Sequence, residues 1–118
     1  MHILLADDQP EVRSALKLLL QLAQELKANR VSEAEDVENV IEYLQVEQPD
    51  VLLLDWGLLG AHAAAQLPGL RSLAPAMKVI VISGKPEVGR AAMNAGADAF
   101  VSKVEPPEHL VGVIRDLR

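Results

Sequence analysis

Val51-Leu52-Leu53-Leu54-Asp55 decides the fold of this chain. Four consecutive apolar residues leave no polar face, so the run reads as a strand covered on both sides, the mark of a parallel sheet between helical layers. It ends on a carboxylate, Asp55. Moving outward, His2 to Ala6 repeats the pattern toward the amino terminus, apolar throughout after His2. Val79-Ile80-Val81-Ile82 and Ala99 to Ser102 repeat it toward the carboxyl terminus, and a weaker run at Arg30 to Glu33 completes the set of strands.

Helical patterns fill the intervals. Pro10 opens the first, where a missing N–H costs little, and Val12, Leu16, Leu19, Leu20, Ala23 and Leu26 recur at helical spacing. Val37, Val40, Ile41 and Leu44 mark a short amphipathic helix that ends before Pro49. Ala61 to Leu73 reads as a helix that Pro68 and Gly69 should break or end early. Pro86 to Ala95 reads as a helix closed by Gly96, and Pro107 starts a final one with Leu110, Val111 and Ile114 facing inward. Strands alternating with helices in this way predict an α/β, flavodoxin-like, doubly wound (βα)5 fold with a five-stranded parallel sheet in the order 2-1-3-4-5. The expected organisation is one domain over residues 1–118, with no repeat or linker.

Composition narrows the function classes. Eleven basic residues against 17 acidic ones give a net charge of −6, which argues against direct contact with nucleic acid. With no cysteine, disulfides and thiolate metal sites are excluded. The amino terminus lacks the order of a signal peptide, and the apolar stretches are too short to span a bilayer, so a cytoplasmic domain without membrane contact is expected. His2, His62 and His109 lack metal-ligand spacing. No glycine-rich dinucleotide loop follows strand one, and Ser83 lacks a nucleophile elbow.

In such a sheet, ligands bind beyond the carboxyl ends of the strands. Asp7 and Asp8 follow strand one, Asp55 ends strand three, Ser83 ends strand four and Lys103 follows strand five. With strands one and three adjacent, three carboxylates converge on one small volume. Their mutual repulsion calls for a hard divalent cation, and Mg²⁺ suits a few carboxylate oxygens completed by water and phosphate. Asp8 and Asp55 are the expected direct ligands, Asp7 acts directly or through water, and the Gly57 carbonyl supplies a further oxygen. The remaining groups suit phosphoryl transfer, with Asp55 as nucleophile, the Lys103 ammonium neutralising equatorial oxygens and the Ser83 hydroxyl donating to one of them. Each residue also has an ordinary structural reading. Asp8 with Glu11 forms a capping-box pattern, Asp55 is a turn residue, and Lys103 alone could be a solvated lysine. The joint placement favours the chemical reading.

The acidic pair Asp7-Asp8, Val51 to Asp55, Val81-Ile82-Ser83-Gly84, and the run from Ala95 to Lys103 together resemble the receiver domains of two-component response regulators over essentially the whole chain. The resemblance implies Mg²⁺-dependent phosphorylation of Asp55 by a histidine kinase or phosphotransfer protein. It also implies a switch in which the Ser83 hydroxyl moves toward the phosphoryl group and Phe100 rotates inward. A module of this kind catalyses only its own phosphorylation and dephosphorylation and is not otherwise an enzyme. The Ala95 to Lys103 segment is most similar to regulators with a carboxyl-terminal helix-turn-helix domain. A DNA-binding output domain would therefore lie outside this chain, and the resemblance leaves room for a homodimer. Three features depart from the family. Val104 follows the lysine where proline is usual, Leu59 stands where the loop after the phosphoacceptor often has proline, and the Ser83 to Lys103 segment is short. Lys85, two residues past Ser83, is placed to screen a phosphoryl group from water. The rival readings are a pseudo-receiver, a phosphorylation-independent protein–protein interaction module, and an Mg²⁺-dependent phosphatase, against which Gly57 stands where a second acid is needed.

Overall fold

The computed structural model describes residues 1–117. Five strands, β1 (His2–Ala6), β2 (Arg30–Ala34), β3 (Val51–Asp55), β4 (Lys78–Ser83) and β5 (Ala99–Ser102), form one parallel sheet in the order β2-β1-β3-β4-β5. Helices α1 (Pro10–Leu22), α2 (Val37–Val46), α3 (Ala63–Leu73), α4 (Gly89–Asn94) and α5 (Pro107–Leu117) connect them. The (βα)5 flavodoxin-like arrangement and the strand order expected from the sequence are those observed.

Alternation along the strands builds two cores. Leu4, Ala6, Leu52, Leu54, Val79 and Val81 face α2 and α3, together with Val40, Leu44, Leu67 and Leu70. Ile3, Leu5, Val51, Leu53, Ile80 and Ile82 face the opposite side, with Leu20, Leu110, Val111 and Ile114. Each fully buried aliphatic side chain contributes on the order of 2 kcal/mol. The pairing of Ala6 with Leu54, Asp55 with Ile82 and Ser83 with Ser102 brings the carboxyl ends of β1, β3, β4 and β5 level, and these ends carry the candidate site.

Four boundaries differ from the sequence reading. The first helix ends at Leu22, and Leu26 belongs to a separate 3-10 turn, Gln24–Leu26, that closes on Lys27 with φ 50°. The segment Trp56–His62 is a succession of 3-10 turns interrupted at Gly60 (φ 68°), so the third helix starts at Ala63. That helix runs through Pro68 without a break. Ala64 and Pro68 both lie on the exposed face, where a carbonyl that loses its helical partner to proline is open to solvent, while Ala63, Leu67 and Leu70 hold the other face in the core. Finally, the stretch from Pro86 divides into a 3-10 turn, Pro86–Val88, and the six-residue α4; Gly96 beyond it has φ 111°.

Charge is distributed unevenly over this frame. Residues 30–50, comprising the edge strand β2, α2 and the turn into β3, hold seven acidic residues and one basic, a balance of −6. The rest of the chain holds ten acidic and ten basic residues, so the acidic excess lies in this segment, and Arg13 and Lys17 of α1 meet it at Glu33. Among the described residues no helix is long and apolar enough to cross a membrane.

Candidate functional site

Asp7 is the first residue beyond β1, and the fold buries it to 1 % exposure. Its N–H donates to the Ala34 carbonyl (3.1 Å), its Oδ1 accepts from the Gln9 N–H (2.9 Å), and its carbonyl accepts from an Arg13 guanidinium nitrogen (2.6 Å). Asp8 beside it is exposed. The capping box open to Asp8 and Glu11 does not form: the residue capping α1 is Gln9, and no side chain caps that end. The Asp8 carboxylate therefore remains available.

Asp55 ends β3 with its side chain 13 % exposed. One carboxylate oxygen from each of Asp7, Asp8 and Asp55 lies within 4.8 Å of the others. Two unit charges at that spacing repel by roughly 3–4 kcal/mol at an effective dielectric near 20. Lys103 supplies a cation, with Nζ 3.1 Å from Asp7 Oδ2 and 3.4 Å from Asp55 Oδ1. Burial pushes the Asp55 carboxyl above the ordinary carboxylate range, against the pull of the Lys103 charge and the Gly57 N–H, and the Asp7 charge adds to the rise. Burial by itself would lower the Lys103 ammonium. The hydrogen bond to Asp7 and the Asp55 charge outweigh it and hold Lys103 above the usual lysine range.

The donor set is hard oxygen only, and it fits a divalent cation. An octahedral ion with bonds of about 2.1 Å separates its ligand oxygens by about 3–4 Å, so a small contraction or a bridging water brings the three carboxylates onto one centre. Among the described residues this is the one group of three or more acidic, histidine or cysteine side chains with such spacing, and no histidine belongs to it.

Ser83 ends β4 and is buried. Its Oγ accepts from the Lys85 N–H (3.0 Å), which leaves the hydroxyl proton free to donate elsewhere, and its carbonyl accepts from the Lys103 N–H (2.8 Å). The Ser83 and Lys103 backbones are thereby locked together. The Lys85 side chain is exposed. Phe100 is half-buried on β5, packed over the first residue of α4: a Cβ on Gly89 would lie 3.1 Å from Phe100 Cδ2. Where the chain has Val104 after the lysine, all described peptide bonds are trans, and the Val104 N–H donates to Ser102 Oγ (3.3 Å). Proline could not make that bond.

Asp7, Asp8, Asp55 and Lys103 thus gather at one point, with the Gly57 backbone against Asp55 and Ser83 joined through the Lys103 backbone. Phe100 lies apart from them, on the α4 side of β5. The sequence reading passed over Arg13 and Glu33. Arg13 Nε lies 3.1 Å from Glu33 Oε1, and Lys17 Nζ lies 3.6 Å from Glu33 Oε2. Arg13 stands one helical turn after Gln9, on the side of α1 that faces the Asp7-Asp8 loop, a spacing that by itself does not single it out from other charged helix residues.

The chain is similar along most of its length to proteins of known kind. The model of the response regulator receiver domain matches residues 3–115. The transcriptional activator protein ExaE of Pseudomonas putida is 33% identical over 117 residues, covering 98% of this chain and 54% of that protein. The nitrate/nitrite response regulator protein NarL of Escherichia coli is 34% identical over 111 residues, covering 92% of this chain and 50% of that protein. Among solved structures, a CheY-like response regulator receiver domain protein from Methanospirillum hungatei superposes with a TM-score of 0.82 at 25% identity, covering 98% of this chain and 91% of that one. The chain spans about half the length of the curated relatives it matches. On the family match, the relatives and the five-stranded fold together, the chain belongs to the response regulator receiver domains of two-component signalling.

Proposed function

We propose that Asp55 is the phosphoacceptor of a receiver spanning residues 1–118, charged by a histidine kinase or phosphotransfer protein in an Mg²⁺-dependent reaction. The observation that carries this reading is the meeting of Asp7, Asp8 and Asp55 within 4.8 Å, with Lys103 reaching two of them. Asp8 and Asp55 would hold Mg²⁺ directly, Asp7 directly or through water, and the Gly57 carbonyl would complete the protein's share. When bound, Mg²⁺ offsets the carboxylate repulsion and the charge on the phosphoryl oxygens.

An Asp55 oxygen attacks phosphorus and forms the acyl phosphate. The bond from phosphorus to the donor's histidine nitrogen breaks, and its electron pair leaves with the imidazole. Lys103 faces an equatorial oxygen, and the free Ser83 proton supplies a hydrogen bond to another. The new phosphoryl group carries about 1.5 to 2 negative charges. Pulling Ser83 toward it shifts the β4 end, to which Lys103 is bonded, and opens space for Phe100 to move off Gly89. This switch would pass to a DNA-binding output domain or a second copy. The domain would otherwise have no enzymatic turnover, and it would act in the cytoplasm.

The test is intact-mass spectrometry after incubation with acetyl phosphate, with and without Mg²⁺, using Asp55→Asn as control. An Mg²⁺-dependent gain of one phosphoryl group, lost in the variant, is expected. No gain, together with no Trp56 fluorescence response to Mg²⁺, would overturn the reading in favour of a phosphorylation-independent interaction module.

A further inference from the structure

The carboxylate that an incoming cation meets first is Asp8, and it is the least anchored of the three. Among the described residues no hydrogen bond or ion pair holds its side chain. Its position depends on its two neighbours in the chain. Asp7 is fixed at the N–H by the Ala34 carbonyl and at Oδ1 by the Gln9 N–H. Gln9 is fixed in turn because its carbonyl accepts from the N–H groups of Val12 and Arg13 (both 3.1 Å). What remains is the Asp7 carbonyl, the atom that orients the peptide joining Asp7 to Asp8. It has one side-chain partner, the Arg13 guanidinium, at 2.6 Å.

Arg13 is itself held. Its side chain is 13 % exposed, and its Nε bonds to Glu33 on β2 (3.1 Å), which Lys17 also approaches (3.6 Å). One guanidinium therefore spans the gap between the edge strand and the loop that carries two of the three candidate ligands. A planar fork with donors in fixed directions can do this, and a point-charge ammonium cannot satisfy both acceptors in the same geometry.

We propose that Arg13 is a positioning residue for the cation site, orienting the Asp7–Asp8 peptide so that the Asp8 carboxylate is aimed at the ion before it arrives. The inference rests on the function proposed above. Its charge makes it sharply testable, because the two effects of removing it have opposite signs. Arg13 is a cation close to an acidic site, so its electrostatic influence opposes Mg²⁺ binding, and removing a mere charge would tighten binding. Removing an orienting contact would weaken it; loss of groups that orient metal ligands costs about 10- to 100-fold in affinity.

The experiment titrates MgCl₂ into the chain and follows Trp56 fluorescence, for wild type, Arg13→Gln, Arg13→Lys and Glu33→Gln, with melting temperatures measured in EDTA. Arg13→Gln is expected to bind Mg²⁺ about tenfold more weakly. Arg13→Lys should restore part of the loss, and Glu33→Gln, which removes the charge that assists the bond at one end of the fork, should show a smaller loss. At saturating Mg²⁺ the rate of phosphoryl gain from acetyl phosphate should return to near the wild-type value, since Arg13 does not touch the reacting atoms. A purely structural role would lower the melting temperature in EDTA and leave the Mg²⁺ affinity of the folded protein unchanged. If Arg13→Gln binds Mg²⁺ as tightly as wild type, or more tightly, the proposal is overturned. Should Arg13→Gln fail to fold, Glu33→Gln decides alone, and unchanged affinity there overturns it equally. A wild-type chain with no Mg²⁺ response overturns the underlying function instead, which separates the two failures.

Discussion

Asp55 pays for its position in the absence of a cation. Burial first, then the Asp7 charge, raises its carboxyl above the ordinary range in the folded state, so the folded protein holds its proton to higher pH than the unfolded chain does. Stability is therefore unaffected by this group below the ordinary carboxylate pKa and falls as pH rises from there through the folded value. Asp55→Asn removes that loss. In EDTA at neutral pH it should melt above wild type, with the difference vanishing at pH values below about 3.8, the usual range for aspartate. A pH series of thermal melts checks this, and a variant that melts below wild type at neutral pH would contradict it. The residues of the candidate site were legible in the sequence for one reason: the polar groups stand at or just past the end of an apolar run, where the run breaks and the strand must stop. Arg13 and Glu33 carry no such mark. Both read as ordinary charged residues on a helix and an edge strand, and their pairing exists only once β2 lies beside β1.

At the scale of elements, strands were read closely and helices less so. Strand runs are short, and covering on both faces leaves an unbroken apolar record. Helix ends depend on contacts that no local pattern records. The α3 helix shows this best. Pro68 and Gly69 are strong local breakers, yet Leu67 and Leu70 on the buried face hold the helix through them. The propensity cost is still present and can be recovered. Gly69 is exposed, and a Cβ there would meet nothing within 4 Å. Gly69→Ala should stabilise the domain by about 1 kcal/mol, read as a rise in the midpoint of urea unfolding with an unchanged slope. A midpoint at or below wild type would mean that the glycine is needed where it stands. The stretch after Ser83 divided for a comparable reason. A short connection with proline at its start admits one 3-10 turn before Gly89, and a Cβ at Gly89 would press on the Phe100 ring at 3.1 Å, which would have to give by a few tenths of an ångström.

For the molecule as a whole, the proposed cation would be part of the stability. The acidic pocket exists only when β1 and β3 are paired, so binding there favours the folded state. At Mg²⁺ a hundredfold above its dissociation constant, the gain from such a site would be about 2.7 kcal/mol. Millimolar Mg²⁺ should therefore raise the melting temperature, and Asp8→Asn should lose most of that rise. Equal melting with and without Mg²⁺ in both proteins would remove the shared-cation site. The doubly wound fold itself was legible, because four buried apolar runs and one weaker edge run in alternation with helices admit few other layouts.

The uneven charge of the frame has an effect at longer range. With an excess of six acidic charges in residues 30–50, offset only in part by Arg13 and Lys17 at Glu33, the domain is more acidic at one sheet edge than elsewhere and so has a dipole as well as a net charge. Near a polyanion it experiences a torque that turns that edge away and presents the flank that carries no net charge. Tethered beside such a surface, it would be oriented before any contact forms, and added salt would relax that alignment over about a Debye length, ~8–10 Å at physiological ionic strength.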